Sequence, residues 1–270
     1  MAKLPNAHVI DRKSGEDIRT YDFHGDYDVI YHLAANASIP QSIENPQETH
    51  THSVLGTIRV LEYARRIGAR VVFSSSSSVY GNPLEVPTTE NCPTRPMVPY
   101  ALQKLECEQY LKLYWDLYGV KGVAFRYMNV FGEGQENANG GGDSALALGN
   151  FLGQYRDGKP FTVVGTGEQR RDFIYAGDIA EANIKAAEWL KTAESFEIFN
   201  LGSGINHSVN EVCSMISSEH PRVFLPPRIE PPIGLADITK AKKILGWSPT
   251  ISLESWIDKV KGTGYVPPRL

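Results

Sequence analysis

The 270-residue chain is 41% hydrophobic and 21% charged, which are ordinary values for a globular protein. Its net charge of −4, with no block of like charges, gives no reason to expect nucleic acid or an anionic membrane as a partner. The three cysteines form no CxxC pair, so neither a disulfide framework nor a zinc site is predicted. His50 and His52, two residues apart, would face different sides of a helix, and no metal is expected. We find no signal peptide and no apolar run of membrane-spanning length, and expect a cytoplasmic protein.

Short apolar runs alternate with amphipathic stretches through the first half of the chain. In chain order, strands are predicted at AHVID, DVIYHLAA, RVVFSSSS and GVAFRYMNV, and helices at TIRVLEYARRIG and YALQKLECEQYLKLYWDLYG. Strands that alternate with helices and are apolar throughout predict an α/β fold with a doubly wound parallel sheet, buried on both faces. Ligands of such sheets bind at the carboxyl ends of the strands.

After about residue 132 the pattern loosens. FGEGQENANGGGDS predicts a loop, and KPFTVV, DFIYAGDIAEANIKAAEWL and SFEIFNLGSG predict further strands and helices. PRVFLPPRIEPPIG is typical of extended chain, and ITKAKKILGW of a short helix. We therefore predict a first domain over residues 1–131, with residues 172–204 partly packing back on it, and a smaller C-terminal lobe over residues 132–270.

Tyr100 and Lys104 lie four residues apart in PYALQK, and therefore on one face of a predicted helix. A lysine ammonium beside the phenol would favour the tyrosinate. Lowering the phenol pKa from about 10 toward 7 requires roughly 4 kcal/mol of differential stabilisation, to which a cationic ring nearby would contribute. Tyr100 is thus a candidate general base. The serines at 74–78 directly follow the strand VVF, which puts hydroxyls at the ligand-binding edge of the sheet.

These residues carry a family resemblance. SSSSVYG followed by PYALQK resembles the Ser…Tyr-x-x-x-Lys constellation of extended short-chain dehydrogenases/reductases, with Ser76 at the position of the catalytic hydroxyl. DVIYHLAA, FRYMNVFG, QRRDFIYAGDIA and ADITKAKKILGWSP resemble further segments of that family, in the same order, from about residue 9 to residue 260. The resemblance implies a Rossmann-like sheet, NAD as the cofactor and a nucleotide sugar as the substrate.

The resemblance also implies a role for each matching position. Asp11 is expected to bind the adenosine ribose hydroxyls, which favours NAD over NADP, although Arg12 beside it suits a 2′-phosphate. The implied catalytic residues are Ser76, Tyr100 and Lys104. The implied NAD contacts are Asp11, Asp17, Ile18, Leu33, Ala34, Tyr100 and Lys104. The implied substrate contacts are Ser76, Asn129, Arg171 and Arg228.

Two features depart from the family pattern. The family opens with a strand, a GxxGxxG loop and a helix whose free N–H groups hold the cofactor pyrophosphate. Only ten residues precede Asp11, too few for these elements, so we expect a first domain that lacks its first strand. Either a rearrangement or a partner fills the gap, or the cofactor half of the site is damaged. In addition, Ser53 stands where the family usually has Asn.

The residues after Ser76 narrow the range of possible reactions. Related 4,6-dehydratases carry Asp and Glu, as in TDEVYG, where this chain has Ser77 and Ser78, so dehydration is disfavoured. The resemblance favours NAD-dependent epimerisation of a nucleotide sugar at C4 through a transient 4-keto sugar, with UDP-glucose and UDP-galactose or their N-acetylated equivalents as substrates. Two alternatives stay open: a nucleotide-sugar ketoreductase or decarboxylase, and a non-catalytic protein that binds a sugar nucleotide or a partner. Helices around residues 48–67 and 100–118 match those that pair in the family's dimers, which favours a homodimer.

Overall fold

The computed structural model describes residues 7–133, 147–227 and 230–262. The chain divides into two compact units, each built from several segments. Unit 1 comprises Met1–Val79, Pro96–Arg126 and Ala180–Phe199, and unit 2 comprises Tyr80–Arg95, Tyr127–Ile179 and Asn200–Leu270. The segment Tyr80–Arg95, which the sequence placed in the first domain, thus belongs to unit 2. The predicted loop FGEGQENANGGGDS falls mostly outside the described residues.

Short strands alternate with helices along the described chain. The strands are β1 (Val29–His32), β2 (Arg70–Ser76), β3 (Gly122–Tyr127), β4 (Asn129–Phe131), β5 (Phe161–Val164), β6 (Arg170–Tyr175), β7 (Glu197–Leu201), β8 (Asn206–Ser208) and β9 (Arg222–Leu225). The α-helices are α1 (Ile39–Glu44), α2 (Pro46–His50), α3 (Gly56–Ile67), α4 (Pro99–Tyr118), α5 (Ala147–Arg156), α6 (Ala176–Trp189), α7 (Val209–Ile216), α8 (Thr239–Leu245) and α9 (Leu253–Gly262). A helix able to cross a bilayer, by length and apolar character, does not occur among the described residues.

The sheet of unit 1 has the strand order β1-β2-β3-β7. β1 runs parallel to β2, with Val29 opposite Arg70 and His32 opposite Phe73. The side chains of Val71–Phe73 and of Val123–Phe125 are almost completely buried. Strands that are apolar at consecutive positions are therefore covered on both faces, which confirms the predicted Rossmann-like α/β fold.

Helices α3 and α4 end where the chain can reverse. Gly68 and Gly119 follow them with φ of 71° and 68°, the left-handed conformation that glycine adopts without steric cost. Between their ends the two helices bury apolar side chains in one cluster with the sheet, including Leu61, Cys107 and Leu111. This packing fixes the start of α4 near the end of β2.

The strand predicted at AHVID does not form, so that prediction was wrong. Residues 7–10 have no regular structure, and Asp11 caps a short 3₁₀ turn by accepting a hydrogen bond from the Lys13 N–H at 2.8 Å. Among the described residues β1 is an edge strand and pairs with β2 alone. A segment with strand propensity still needs a neighbouring strand to satisfy its N–H and C=O groups, and AHVID has none within the described sheet.

Side chains of α3 hold the segment that precedes β1. Arg59 donates to the carbonyls of Ile18 and Tyr21 at 3.0 and 2.7 Å. The Tyr63 hydroxyl bonds the carbonyls of His24 and Gly25, both at 2.7 Å. These bonds satisfy backbone groups that a strand would satisfy by pairing.

Unit 2 contains a three-stranded sheet and a two-stranded sheet. In the first, of order β4-β6-β8, β6 is parallel to β4 and antiparallel to β8. In the second, β5 and β9 pair in parallel. Their buried faces share an apolar core with α5, α7 and α9 that includes Phe131, Phe161, Val212, Trp256 and Ile257.

His32 at the end of β1 makes the fold sensitive to acid. It is 3% exposed, and its Nε2 lies 2.9 Å from the Thr57 hydroxyl. Burial, with a smaller effect of Lys104, lowers the pKa of His32 to about 3, whereas an unfolded chain has a histidine pKa near 6.5. The unfolded state therefore binds the proton first as the pH falls. The free energy of unfolding should drop by about 1.4 kcal/mol per pH unit from about pH 6.5 toward 3.

Urea titrations at several pH values test this prediction. We expect the His32→Gln variant to lose that part of the pH slope, because no buried imidazole remains to be protonated. His24→Gln, at an exposed position, should keep the slope of the parent protein. An equal slope in His32→Gln and the parent would show that His32 is not held neutral.

Candidate active site

Ser76, Tyr100 and Lys104 come together in unit 1, as their order in the sequence predicts. Ser76 is the last residue of β2, and Tyr100 and Lys104 lie one turn apart near the start of α4. Pro99 occupies the first turn of that helix, where a missing N–H costs nothing. The Tyr100 N–H donates to the Ser42 hydroxyl at 3.1 Å. The Ser76 side chain lies close enough to Tyr100 to affect the pKa of its phenol.

The ammonium of Lys104 is buried at the end of β2. Its Nζ donates to the carbonyl of Ser74 at 2.5 Å and lies 4.8 Å from the ring centroid of Phe73. Burial lowers the pKa of Lys104 to about 8, and electrostatic interactions with Cys107 and Glu108 oppose that shift. Lys104 is thus protonated at neutral pH but close to the range in which it titrates.

The protein's own groups do not lower the pKa of Tyr100. Burial raises it above its ordinary value of 10.0, and the Ser76 side chain partly offsets that rise. Lys104, which was expected to lower it, directs its ammonium to the Ser74 carbonyl instead. A Tyr100 pKa below its ordinary value would therefore require charge that a ligand brings to the site.

Leu33 and Ala34 directly follow β1, at the edge of the sheet where ligands bind. Leu33 is 56% exposed, which is unusual for a leucine beside a buried strand, and Ala34 is half-buried. They offer an apolar surface of the kind that was predicted to contact NAD.

Asp11, Asp17 and Ile18 also lie in unit 1, and local contacts hold all three. Asp11 caps the 3₁₀ turn described above. The Asp17 carboxylate lies 2.7 Å from Arg19 Nη2, and hydrogen bonds from Arg19 lower the pKa of Asp17 to about 2. A Cβ on Gly56 would lie 2.6 Å from Ile18 Cδ1, so glycine lets Ile18 pack directly on the start of α3.

The two described substrate-binding candidates of unit 2 lie on adjacent strands. Asn129 of β4 donates from Nδ2 to the carbonyl of Asp172 at 3.1 Å. Arg171 of β6 forms an ion pair with Glu230, 2.8 Å between Nη2 and Oε2, with both side chains largely buried. Arg228, the third candidate, lies outside the described residues. The partner of Arg171 was not predicted, because Glu230 is 59 residues away along the chain.

A cavity of about 690 Å³ opens beside this strand in unit 2. Its lining combines the turn after β5, the start of β6 and the segment after β9, and includes Val164, Gln169, Leu225 and Glu230. A volume of this size suits a nucleoside or a comparable small molecule.

Asp172 is a structural residue that sequence reasoning missed. Its carboxylate has no exposed surface and accepts hydrogen bonds from the Ser203 N–H and hydroxyl at 2.7 and 2.8 Å. It also accepts from the N–H groups of Gly204 and Ala236, both at 3.2 Å. Asp172 therefore ties two loops of unit 2 to the strand that carries Arg171. Asp172 lies in the segment QRRDFIYAGDIA, which carries part of the family resemblance, but its burial cannot be read from the sequence.

The histidines considered for a metal pair with carboxylates instead. His50 lies 3.2 Å from Glu106, and His52 lies 3.6 Å from Glu48. No cluster of three or more potential metal ligands occurs in the part of the chain that the structure describes.

The family of the chain follows from a match over most of its length. The model of the NAD dependent epimerase/dehydratase family matches residues 5–202. The chain therefore belongs to this family of enzymes.

Three proteins that are similar to this chain carry the names of UDP-sugar 4-epimerases. A Methanocaldococcus jannaschii protein, provisionally named a UDP-glucose 4-epimerase, is 36% identical over 266 residues, which are 96% of this chain and 83% of that protein. The UDP-N-acetylglucosamine 4-epimerase of Methanobrevibacter ruminantium, solved with UDP-N-acetylmuramic acid, superposes with a TM-score of 0.82 at 31% identity, covering 92% of this chain and 82% of that one. A Brucella ovis UDP-glucose 4-epimerase, solved with NAD, has a TM-score of 0.76 at 29% identity, covering 85% and 75%.

NAD is the cofactor of this family, and the described residues of unit 1 fit it. The Ser53 hydroxyl is buried and has no hydrogen-bond partner within the described residues, so a polar ligand group would satisfy it. Leu33 supplies an exposed apolar surface, and Lys104 supplies an ammonium that suits a ribose hydroxyl.

We expect Asp172→Asn to destabilise unit 2 by roughly 2–3 kcal/mol. An amide NH₂ would face N–H donors where the second carboxylate oxygen now accepts two hydrogen bonds. Urea unfolding measures the loss, and Asp258→Asn on the exposed face of α9 is the matched control. Equal stability of the two variants would contradict the role given to Asp172.

Proposed function

We propose that the chain epimerises a UDP-sugar at C4, with UDP-glucose and UDP-galactose, or their N-acetylated equivalents, as the interconverted pair. The observation that most supports this is the placement of Ser76 at the end of β2 and of Tyr100 at the start of α4, with the buried ammonium of Lys104 one helical turn away. Such groups suit proton transfer at a sugar hydroxyl. The similarity to 4-epimerases for UDP-sugars supports both the position on the sugar and the nucleotide.

The residues next to Ser76 support epimerisation over dehydration. Expelling water from a sugar needs an acid and a base at the site. Positions 77 and 78 are serines, and the Ser78 hydroxyl donates to Ser76 Oγ at 2.9 Å. This bond orients the Ser76 hydroxyl but supplies no carboxylate.

In the proposed reaction Tyr100 takes the proton of the sugar 4-hydroxyl while Ser76 hydrogen-bonds the same oxygen. Bound NAD supplies the acceptor and donor for the hydride at C4. Tyr100 returns the proton after the sugar has turned its other face. The residues that would hold NAD are Asp11, Asp17, Ile18, Leu33, Ala34, Tyr100 and Lys104.

We propose Arg171 and Asn129 as contacts of the UDP diphosphate. A guanidinium binds two phosphate oxygens at once, and Arg171 already holds one anionic group, the carboxylate of Glu230. A diphosphate would compete with Glu230 for the same donors. The role of Arg228 and the homodimer stay predictions.

Replacing Tyr100 by Phe tests the proton transfer. We expect kcat for UDP-galactose to UDP-glucose conversion to fall at least about 100-fold, because the phenol that exchanges the proton is gone. The coupled assay follows UDP-glucose formation at saturating substrate. Tyr110→Phe removes a hydroxyl from the same helix at a half-buried position and should leave kcat within about twofold. Activity of Tyr100→Phe above a few per cent of the parent would sink the assignment.

Replacing Arg171 by Met tests the diphosphate contact. We expect the Kd for UDP to rise about tenfold or more, since two charge-assisted hydrogen bonds are lost. Isothermal titration with UDP measures it. Arg156→Met, an exposed position of unit 2, is the control and should bind UDP like the parent. Equal UDP affinity in the two variants would place the phosphates elsewhere.

A further inference from the structure

A buried ion pair lies next to the catalytic residues of unit 1 and has no part in the reaction described above. Glu108 of α4 and Arg126 of β3 are 2% and 4% exposed. Arg126 Nη2 lies 2.7 Å from Glu108 Oε2, and Arg126 Nε lies 3.0 Å from Oε1, so the guanidinium meets the carboxylate at two points. Apolar side chains of similar volume would fill such a place without the desolvation of two charges, so stability alone is a weak account of the pair.

The pair reaches the catalytic residues through Ser75. The Ser75 hydroxyl donates to Glu108 Oε1 at 2.5 Å. Its chain neighbours are Ser74, whose carbonyl accepts from Lys104, and Ser76, which lies close to Tyr100. Lys104 and Glu108 are four residues apart and share one face of α4. Side chains one turn apart on α4 therefore fasten two successive residues at the end of β2.

We propose that Glu108 and Arg126 are positioning residues that hold the Ser74–Ser76 end of β2 against α4 and thereby align Ser76, Tyr100 and Lys104. The catalytic roles of these three residues rest on the proposed function, whereas their positions rest on the contacts described above. If Glu108 were absent, the Ser75 hydroxyl would lose its acceptor, and one of the bonds that tie the strand end to α4 would be lost.

Glu108 also acts on the charge of Lys104. Burial raises the pKa of the Cys107 thiol to about 11 and lowers that of His32 to about 3, so both are neutral at neutral pH. Tyr100 is neutral there too. Like Cys107, Glu108 opposes the lowering of the Lys104 pKa, and Arg126 is paired with Glu108. Among the described residues, Cys107 and Glu108 on α4 and His32 on β1 interact electrostatically with Lys104, and Arg126 on β3 is paired with Glu108.

The experiment compares three variants by two measurements. The variants are Glu108→Gln, the paired replacement Glu108→Leu with Arg126→Met, and the control Glu106→Gln, a partly exposed position on the same helix. Nuclear magnetic resonance of ¹⁵N-lysine-labelled protein follows the titration of the Lys104 amine, whose signal is assigned by its loss in Lys104→Arg. Thermal unfolding and 4-epimerase kinetics are measured in parallel.

We expect Glu108→Gln to lower the Lys104 pKa by about 1 unit and to lower the Tm. The paired replacement should recover the Tm, because no buried charge is left unpaired. It should still show a lowered Lys104 pKa and a kcat reduced about tenfold or more at nearly unchanged KM, because the strand end is no longer fastened. Glu106→Gln should match the parent in every measurement.

A paired replacement with the parent's Lys104 titration and kcat would overturn the proposal and leave the pair a purely structural element. If Glu108→Gln does not fold, Ser75→Ala takes its place, since it removes only the bond to the strand. A parent-like kcat and titration in Ser75→Ala would likewise overturn it. Absence of epimerase activity in the parent would refute the proposed function, whereas the Lys104 titration would still test the positioning role.

Discussion

The hydrogen bond from the Lys104 ammonium to the Ser74 carbonyl is the interaction on which the arrangement of the candidate site depends. A buried ammonium must find an acceptor, and this one finds it where β2 ends. The bond holds the first turns of α4 at the strand, which places Tyr100 near Ser76. The same burial keeps the pKa of Lys104 near 8 and that of Tyr100 above its ordinary value, so the protein's own groups favour a protonated phenol. A cationic ligand at the site would shift that balance toward proton transfer.

Much of this arrangement was predictable because it follows from local pattern. The uninterrupted apolar runs of β2 and β3 require burial on both faces, and the long helix α4 shows its length and its C-terminal glycine in the sequence. The parallel sheet then places the ends of β1 and β2 at one edge, which collects Leu33, Ser76, Tyr100 and Lys104. The prediction of a strand at AHVID was wrong because it rested on local pattern alone. Propensity and apolar pattern are local, but a strand exists only where another strand can pair with it, and the described sheet offers AHVID none.

The remaining features depend on partners that are distant in the sequence. Arg126 meets Glu108 across 18 residues, and Arg171 meets Glu230 across 59. A single sequence shows the charges of these residues but not which of them meet, and burial decides whether a pair is a surface contact or a fixed part of the site. The pKa of Tyr100 depends likewise on burial, which a single sequence does not show.

The central claim is that unit 1 holds NAD with the residues described. The most direct measurement denatures the purified protein, removes the chain and quantifies the released nucleotide by chromatography. This account predicts near-stoichiometric NAD or NADH, either carried through purification or bound when NAD is added. If none is released and none binds on addition, the claim is wrong, and a non-catalytic role in binding a sugar nucleotide or a partner becomes the better explanation of Ser76, Tyr100 and Lys104.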